Sequence, residues 1–405
     1  MENRVILHSD ANCFFASVEM ATNPDLKGLP LAVCGAVEER HGIVLAKSGE
    51  AGRTGIKTGM TVGDAKKLCP SLTVVHPHYD KYMEYSHALK QIYADFSDRV
   101  EPFGMDECWL DISSAIKKYE DGMYVSQVLR ERVKKELGIT VSVGVSFNKV
   151  FAKLGSDMKK PDASTLITPD NFKKRVFPLP VSALLGVGRA TATALEKYGI
   201  TTIGALASCE PEFLRRTMGK AGISLWRFAN GLDTSPVLTE AERPPIKSVG
   251  NGMTPPRDLC SRDDVRIFML WLSLEIGKRL RSYGMRCKGV SISLRDTSLR
   301  VKQLQAPLVS PTDDGADIGR AAYGLFLKDG RLPLRSVSVT AISLESAFAP
   351  LQTDFFTDPV RVEKHARLNK AVDTVCQKYG DSVLLPASLC KKSFSLSKSG
   401  HSLPV

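Results

Sequence analysis

Short apolar runs ended by polar turns dominate the first 165 residues. RVILHS at 4–9 is one such run, and it predicts a buried strand. Further strands are predicted at 31–35, 43–46, 72–76, 99–103, 108–112 and 141–146. Between them, apolar positions recur at helical spacing over 14–20, 81–96, 123–137 and 148–158, with Ile92, Tyr93 and Phe96 following Leu89. Interleaving of this kind predicts one α+β unit.

The pattern changes after 178. From there to 233, short helical stretches are separated by glycines and show no strand-like alternation, so a small helical domain is expected. TEAERPPIKS, 239–248, sets a Pro pair among charged residues and predicts an extended connection. A helix at 265–281 and strands at 289–294 and 335–344 then predict a second α+β unit. A polar segment after Leu351, a final helix over 359–379 and a Ser/Lys-rich tail complete the chain, the last fifteen residues expected to be disordered. No internal repeat interrupts this order.

The length of 405 residues fits two to four such units. Hydrophobic residues at 43% and charged residues at 24% exclude a disordered chain. No run reaches the 18 or so apolar residues of a membrane span, and MENRVILHSD lacks a signal peptide's apolar core, so a cytoplasmic protein without membrane contact is expected. Nine cysteines scattered from Cys13 to Cys390 without a CxxC pair suit reduced, mostly buried thiols. The net charge of +11 points to a polyanionic partner, against the alternative of a merely solvated basic surface. Residues 243–350 hold 17 Lys/Arg against 10 Asp/Glu, and so carry seven of those eleven charges.

Asp10 ends the first predicted strand, and Asp106 and Glu107 sit in the turn between two later ones, in VEPFGMDECWLDIS. Carboxylates leading straight into Trp109, Leu110 and Ile112 are costly so near a core unless a cation or hydrogen bonds compensate. A pair of divalent metal ions is one explanation and a solvated turn the other.

LHSDANCFFASVE at 7–19, VEPFGMDECWLDIS at 100–113 and VSVGVSFNKVFAKLGSDMKKPDAS at 141–164 together resemble the Y-family of translesion DNA polymerases, nearest its DNA polymerase IV-like branch. The likeness extends over about residues 4–380. It implies an α+β multidomain fold: a right-hand polymerase with a ferredoxin-like palm, small fingers, a helical thumb and an α+β little finger. The implied boundaries are 1–30 and 76–165 for the palm, 31–75 for the fingers, 166–236 for the thumb, 237–248 for a linker, 249–350 for the little finger and 351–405 for a tail.

On that resemblance the catalytic carboxylates are Asp10, Asp106 and Glu107, which with the Ala11 carbonyl would hold two Mg²⁺ ions. Phe15 matches the steric gate under the sugar of the incoming deoxynucleoside triphosphate, although it can also be read as the apolar face of a helix. Lys160 matches the triphosphate-binding lysine. Asn12 stands where many relatives carry a second Asp. Gly49 and Gly52 stand where the family commonly has a Tyr and a basic residue, which implies weaker nucleotide binding unless Arg53 substitutes.

LLGVGRATATALEKYGITTIG at 184–204 is similar to a helix-hairpin-helix, with Gly186 and Gly188 able to admit a phosphate to backbone N–H groups, or simply to make a tight turn. In the little finger, Lys288, Arg295 and Arg300 are expected to track phosphates of primer-template DNA without reading bases. Gln352, Phe355 and Phe356 in LQTDFFTD are similar to the bacterial sliding-clamp-binding pentapeptide, the alternative being two rings packed under the next helix. The whole implies a monomeric, error-prone template-directed DNA polymerase of damage tolerance. A catalytically silent DNA- and clamp-binding paralogue is the competing class.

Overall fold

The run at the N-terminus becomes β1 (Ile6–Ala11), buried along its whole length. In the computed structural model, which describes residues 4–36, 40, 42–116, 118–350, 359–380 and 383–390, the chain forms two compact units. The first comprises Met1–Gly35 and Ile43–Arg243, and the second comprises 36–42 and 244–404.

In the first unit β1 is followed by α1 (Phe14–Thr22), β2 (Leu31–Cys34), β3 (Val44–Lys47), α2 (Gly49–Arg53), α3 (Val62–Leu68), β4 (Thr73–Val75) and α4 (Tyr79–Ala94). Then come β5 (Val100–Pro102), β6 (Glu107–Asp111), α5 (Tyr119–Leu137), β7 (Val141–Ser146), α6 (Lys149–Met158) and β8 (Ser164–Ile167). Five of these strands make one sheet in the order β5-β6-β1-β7-β8, with β1 antiparallel to both neighbours. The period-2 alternation divides its faces. Leu7, Leu110, Val143 and Val145 pack with Leu89, Ile92 and Tyr93 of α4 and Leu129 and Val133 of α5. Ile6 and Trp109 face the other way, with Ala152 of α6.

Helix α6 lies unusually close to its strand. A Cβ on Gly144 would fall 1.8 Å from the Ala152 carbonyl oxygen, and one on Gly155 would fall 3.1 Å from the Gly144 Cα. Only hydrogen at Gly144 permits this approach, which carries the polar side chains of α6 to the end of β1. Gly144→Ala is therefore expected to destabilise the fold by about 3 kcal/mol, because the obstacle is backbone rather than a movable side chain. Urea unfolding checks this; a loss below about 1 kcal/mol would mean that α6 sits further away.

The remaining strands, β3-β2-β4, form a small sheet closed by α2 and α3 over Val44, Ile56, Val62, Ala65 and Leu72. Beyond β8 the chain is helical as expected: α7 (Phe172–Val176), α8 (Arg189–Glu196), α9 (Ile203–Ala207) and α10 (Pro211–Ala229), the last broken at Gly219 with φ of 65°. The extended linker expected over 237–248 is only partly found. Residues Glu240–Glu242 make a 3₁₀ turn capped by Thr239. Arg99 donates to Val237 O at 3.0 Å and to Glu242 at 2.6 Å, and Leu238 N–H donates to Glu101 at 2.7 Å. These bonds, invisible to a composition argument, fasten the segment to the edge of the five-stranded sheet.

The second unit contains β9 (Ser248–Met253), α11 (Arg262–Ser282), β10 (Met285–Asp296), β11 (Val301–Thr312), α12 (Gly315–Asp329), β12 (Leu334–Ser346), α13 (Pro359–Tyr379) and α14 (Ala387–Cys390). Its sheet runs β11-β10-β12-β9, all antiparallel, and its core joins Val290, Ile292, Val337 and Val339 to Phe268 and Leu272 of α11 and Ile318 and Phe326 of α12. Among the described residues no helix is long and apolar enough to cross a membrane. Eight described cysteines are free thiols, five of them buried.

Candidate active site

Pairing decides where the acids meet. In the β1·β6 register Asp10 stands opposite Glu107, and the Ala11 N–H donates to the Asp106 carbonyl at 3.0 Å, so both strand ends and the turn between β5 and β6 close on one edge. Asp10 is only 6% exposed. Burial raises its carboxyl above the usual range, against the pull of the Lys160 ammonium 2.8 Å away. Asp106 is pushed up to about 6 by burial and by the charges of Asp10 and Glu107. Burial acts on Glu107 in the same direction, but His8 and Lys153 outweigh it and hold that carboxyl down at about 2. The Lys153 ammonium pairs directly with Glu107. His8 Nε2 lies 3.1 Å from Glu107 Oε2 without hydrogen-bond alignment, and burial lowers this imidazole's affinity for a proton.

Two ammonium groups thus stand beside two of the three acids. Among the described residues no three His, Cys, Asp or Glu side chains close into a metal cage. The donor set is nonetheless all oxygen, the chemistry of a hard divalent cation, and the crowding that lifts Asp106 is what such a cation relieves.

Models of the impB/mucB/samB family and of its C-terminal domain match residues 9–157 and 246–355. The chain is 47% identical to a DNA polymerase IV of Acetivibrio thermocellus, over 93% of this chain and 95% of that protein. It is 38% identical to a DNA polymerase IV of Moorella thermoacetica, over 94% of each chain, and 34% identical to DNA polymerase IV 1 of Bacillus subtilis, over 98% of this chain and 96% of that one. The chain belongs to the Y-family of DNA polymerases. It is a DNA-directed DNA polymerase of the DNA polymerase IV kind. A solved Y-family DNA polymerase chimera shares its fold, with a TM-score of 0.74 at 24% identity over 84% of this chain and 98% of that one.

In this polymerase Phe15 emerges from the first turn of α1 and lies partly exposed, stacked on Tyr82 with ring centroids 4.2 Å apart and planes 10° from parallel. Tyr82 is fully buried and its hydroxyl donates to Glu19. Glu19 also contacts His78 Nδ1 at 2.9 Å. Phe14, by contrast, is buried in the core. Asn12 is tied into the sheet, giving its amide N–H to Thr140 at 3.1 Å and accepting from Ser142 at 3.0 Å, so it is a structural residue and not a fourth acid's substitute. Arg53 ends α2 with its guanidinium folded back 3.2 Å from Glu50.

Sequence reasoning did not single out His8, Lys153, Tyr82 or Glu19. A signal existed for His8, two residues before Asp10 on the same strand and so on the same face. None existed for Lys153, whose placement depends on the close approach of α6.

Gly186 has φ of 88° and Gly188 caps α8 with open space where a Cβ would be. On β10 the bulge between Cys287 and Gly289 leaves Lys288 exposed, 3.3 Å from Glu345, while Arg295 is exposed further along and Arg300 lies in the turn before β11. Between them the outward positions Ser291, Ser293, Ser338 and Thr340 are hydroxyls facing Gly250 and Gly252 of β9 and Gln303 and Gln305 of β11. This face is small and polar with charge at its margins, rather than a continuous cationic stripe. Gln352, Phe355 and Phe356, and the tail's last fifteen residues, lie outside the described residues.

Proposed function

We propose that this polymerase extends a primer on damaged template DNA with low fidelity, taking deoxynucleoside triphosphates and releasing pyrophosphate. The observation that supports it most is the meeting of Asp10, Asp106 and Glu107 at one sheet edge, with Lys160 on Asp10 and Phe15 four residues after the same strand end. On this proposal the five-stranded sheet is the palm, β2–β4 with α2 and α3 the fingers, α7–α10 the thumb and the second unit's sheet the little finger.

Asp10, Asp106, Glu107 and the Ala11 carbonyl would hold Mg²⁺, two ions in the family's manner. When bound, these ions make the primer hydroxyl a better nucleophile and neutralise charge on the leaving pyrophosphate. The chain's own groups do the rest. Lys160, pairing with Asp10 at 2.8 Å and Asp157 at 2.9 Å, stands beside the acids and can transfer to the triphosphate. Phe15, braced by Tyr82, sets the floor under the sugar. The exposed N–H groups at Gly188 and the hydroxyl-lined face of the second sheet suit a phosphate backbone held without base readout. Gln352, Phe355 and Phe356 would tether the monomer to the bacterial sliding clamp, and the cytoplasm is its place of action.

Primer extension with Mg²⁺ tests the proposal. A primer lengthened according to the template supports it. A primer bound but unchanged would favour the silent paralogue. A shortened primer would mean a nuclease.

A further inference from the structure

Lys160 stands in a loop that crosses from one face of the five-stranded sheet to its edge. Helix α6 ends at Met158, the edge strand β8 begins at Ser164, and residues 159–163 join them. One residue of this loop has an uncommon backbone. Asp162 has φ of 51°, in the left-handed region that a side chain other than glycine enters at a cost and keeps only where its neighbours impose it. The neighbour here is Arg130 of α5, the helix that packs on the face of the sheet opposite α6. Its Nη2 donates to the Asp162 carbonyl and, at 2.8 Å, to the Asp162 carboxylate, while its Nε donates to the same carboxylate oxygen at 3.1 Å. Lys134, one turn along α5, reaches the other oxygen at 3.3 Å. One planar guanidinium therefore grips backbone and side chain of the same residue, which fixes the direction of the peptide as well as balancing the charge. The Lys160 ammonium pairs with Asp10 at 2.8 Å and with Asp157 at 2.9 Å. To serve a triphosphate while Asp10 serves a cation, it must give up the first of these pairs. Its aim then depends on the backbone on either side. One side is the end of α6; the other, two residues on, is the gripped Asp162, joined through Pro161, whose ring fixes its own φ.

We infer that Arg130 is a positioning residue for the nucleotide: by holding Asp162 in the left-handed conformation it aims Lys160 at the triphosphate, touching neither. The inference rests on the polymerase proposal above and adds to it the part that keeps its lysine in place. The bond to the Asp162 carbonyl is what an ion pair made for charge alone would lack.

Single-turnover primer extension at varied deoxynucleotide concentration tests this as a double-mutant cycle with Lys160. Arg130→Met keeps the aliphatic stem and removes the fork. It should raise the apparent nucleotide Kd about fivefold, part of the worth of one charge-assisted hydrogen bond. The maximal rate and the primer-template affinity should stay within about twofold, the split expected of lost nucleotide binding. In a Lys160→Met background the same substitution should change the Kd by less than about twofold, because no ammonium is left to aim. Arg130→Lys keeps the charge without the two-pronged geometry, so it should give a smaller rise with the same dependence on Lys160, and it carries the test where Arg130→Met does not fold. A rise of equal size in both backgrounds, or an Arg130→Met Kd less than about twofold above the wild type, overturns the positioning role while wild-type extension stands. Absence of extension by the wild type overturns the polymerase proposal and the inference with it.

Discussion

Asp106→Asn is expected to lower kcat/KM for nucleotide insertion by roughly a thousandfold or more while leaving primer-template affinity within about threefold. Asparagine keeps the size of the side chain and removes the charge, so the loss isolates electrostatics from packing. The same substitution should raise the melting temperature of the metal-free protein at neutral pH. A carboxyl with a folded-state pKa raised to about 6 loses stability for the fold as pH climbs from its unfolded pKa through that value. At neutral pH the charged Asp106 is therefore a cost, and asparagine removes it. Thermal unfolding in a chelator, beside steady-state extension kinetics, reads both effects. Activity within tenfold of the wild type would remove Asp106 from the chemistry.

Phe15→Val should relax sugar selection. The Phe15 ring is held flat on Tyr82, itself buried and anchored through its hydroxyl to Glu19, so the ring cannot retreat from a 2′-hydroxyl without disturbing a packed stack. Overpacking of this order costs enough to discriminate by about a hundredfold. The ratio of kcat/KM for deoxynucleotides over ribonucleotides should fall by about that factor, with kcat for deoxynucleotides changed far less. An unchanged ratio would leave Phe15 as part of the apolar face of α1. Tyr82→Phe keeps the stack and drops the hydroxyl, so it should change selectivity only slightly.

How far the fold could be read from the chain depended on how local its causes were. β7 and α13 follow periodicity within the segment itself, and their predicted ranges coincide with the observed Val141–Ser146 and Pro359–Tyr379. The strands β9 and β11 escaped because they are the two edges of their sheet and bury little: in SVGNGM only Val249 is buried, and in β11 no residue is. α12 escaped because glycines at 315, 319 and 324 hide its apolar stripe; the first two lie where α11 comes close, a tertiary fact. The acidic constellation was legible as three residues, yet its geometry was not. That Glu107 faces Asp10 follows from strand register, and that Lys153 reaches Glu107 follows from Gly144.

The central claim is that Asp10, Asp106 and Glu107 make one cation site whose occupancy requires Asp106 to lose its proton. Calorimetric titration of the wild type, Asp10→Asn and Asp106→Asn with Mn²⁺ in the presence of primer-template tests it most directly. Below its pKa of about 6 the Asp106 carboxyl is protonated, so binding must release that proton and weaken as pH falls. Wild-type affinity should drop about tenfold between pH 7.5 and pH 5, and either substitution should abolish binding at both pH values. Binding that is unchanged by pH and survives both substitutions would contradict the claim.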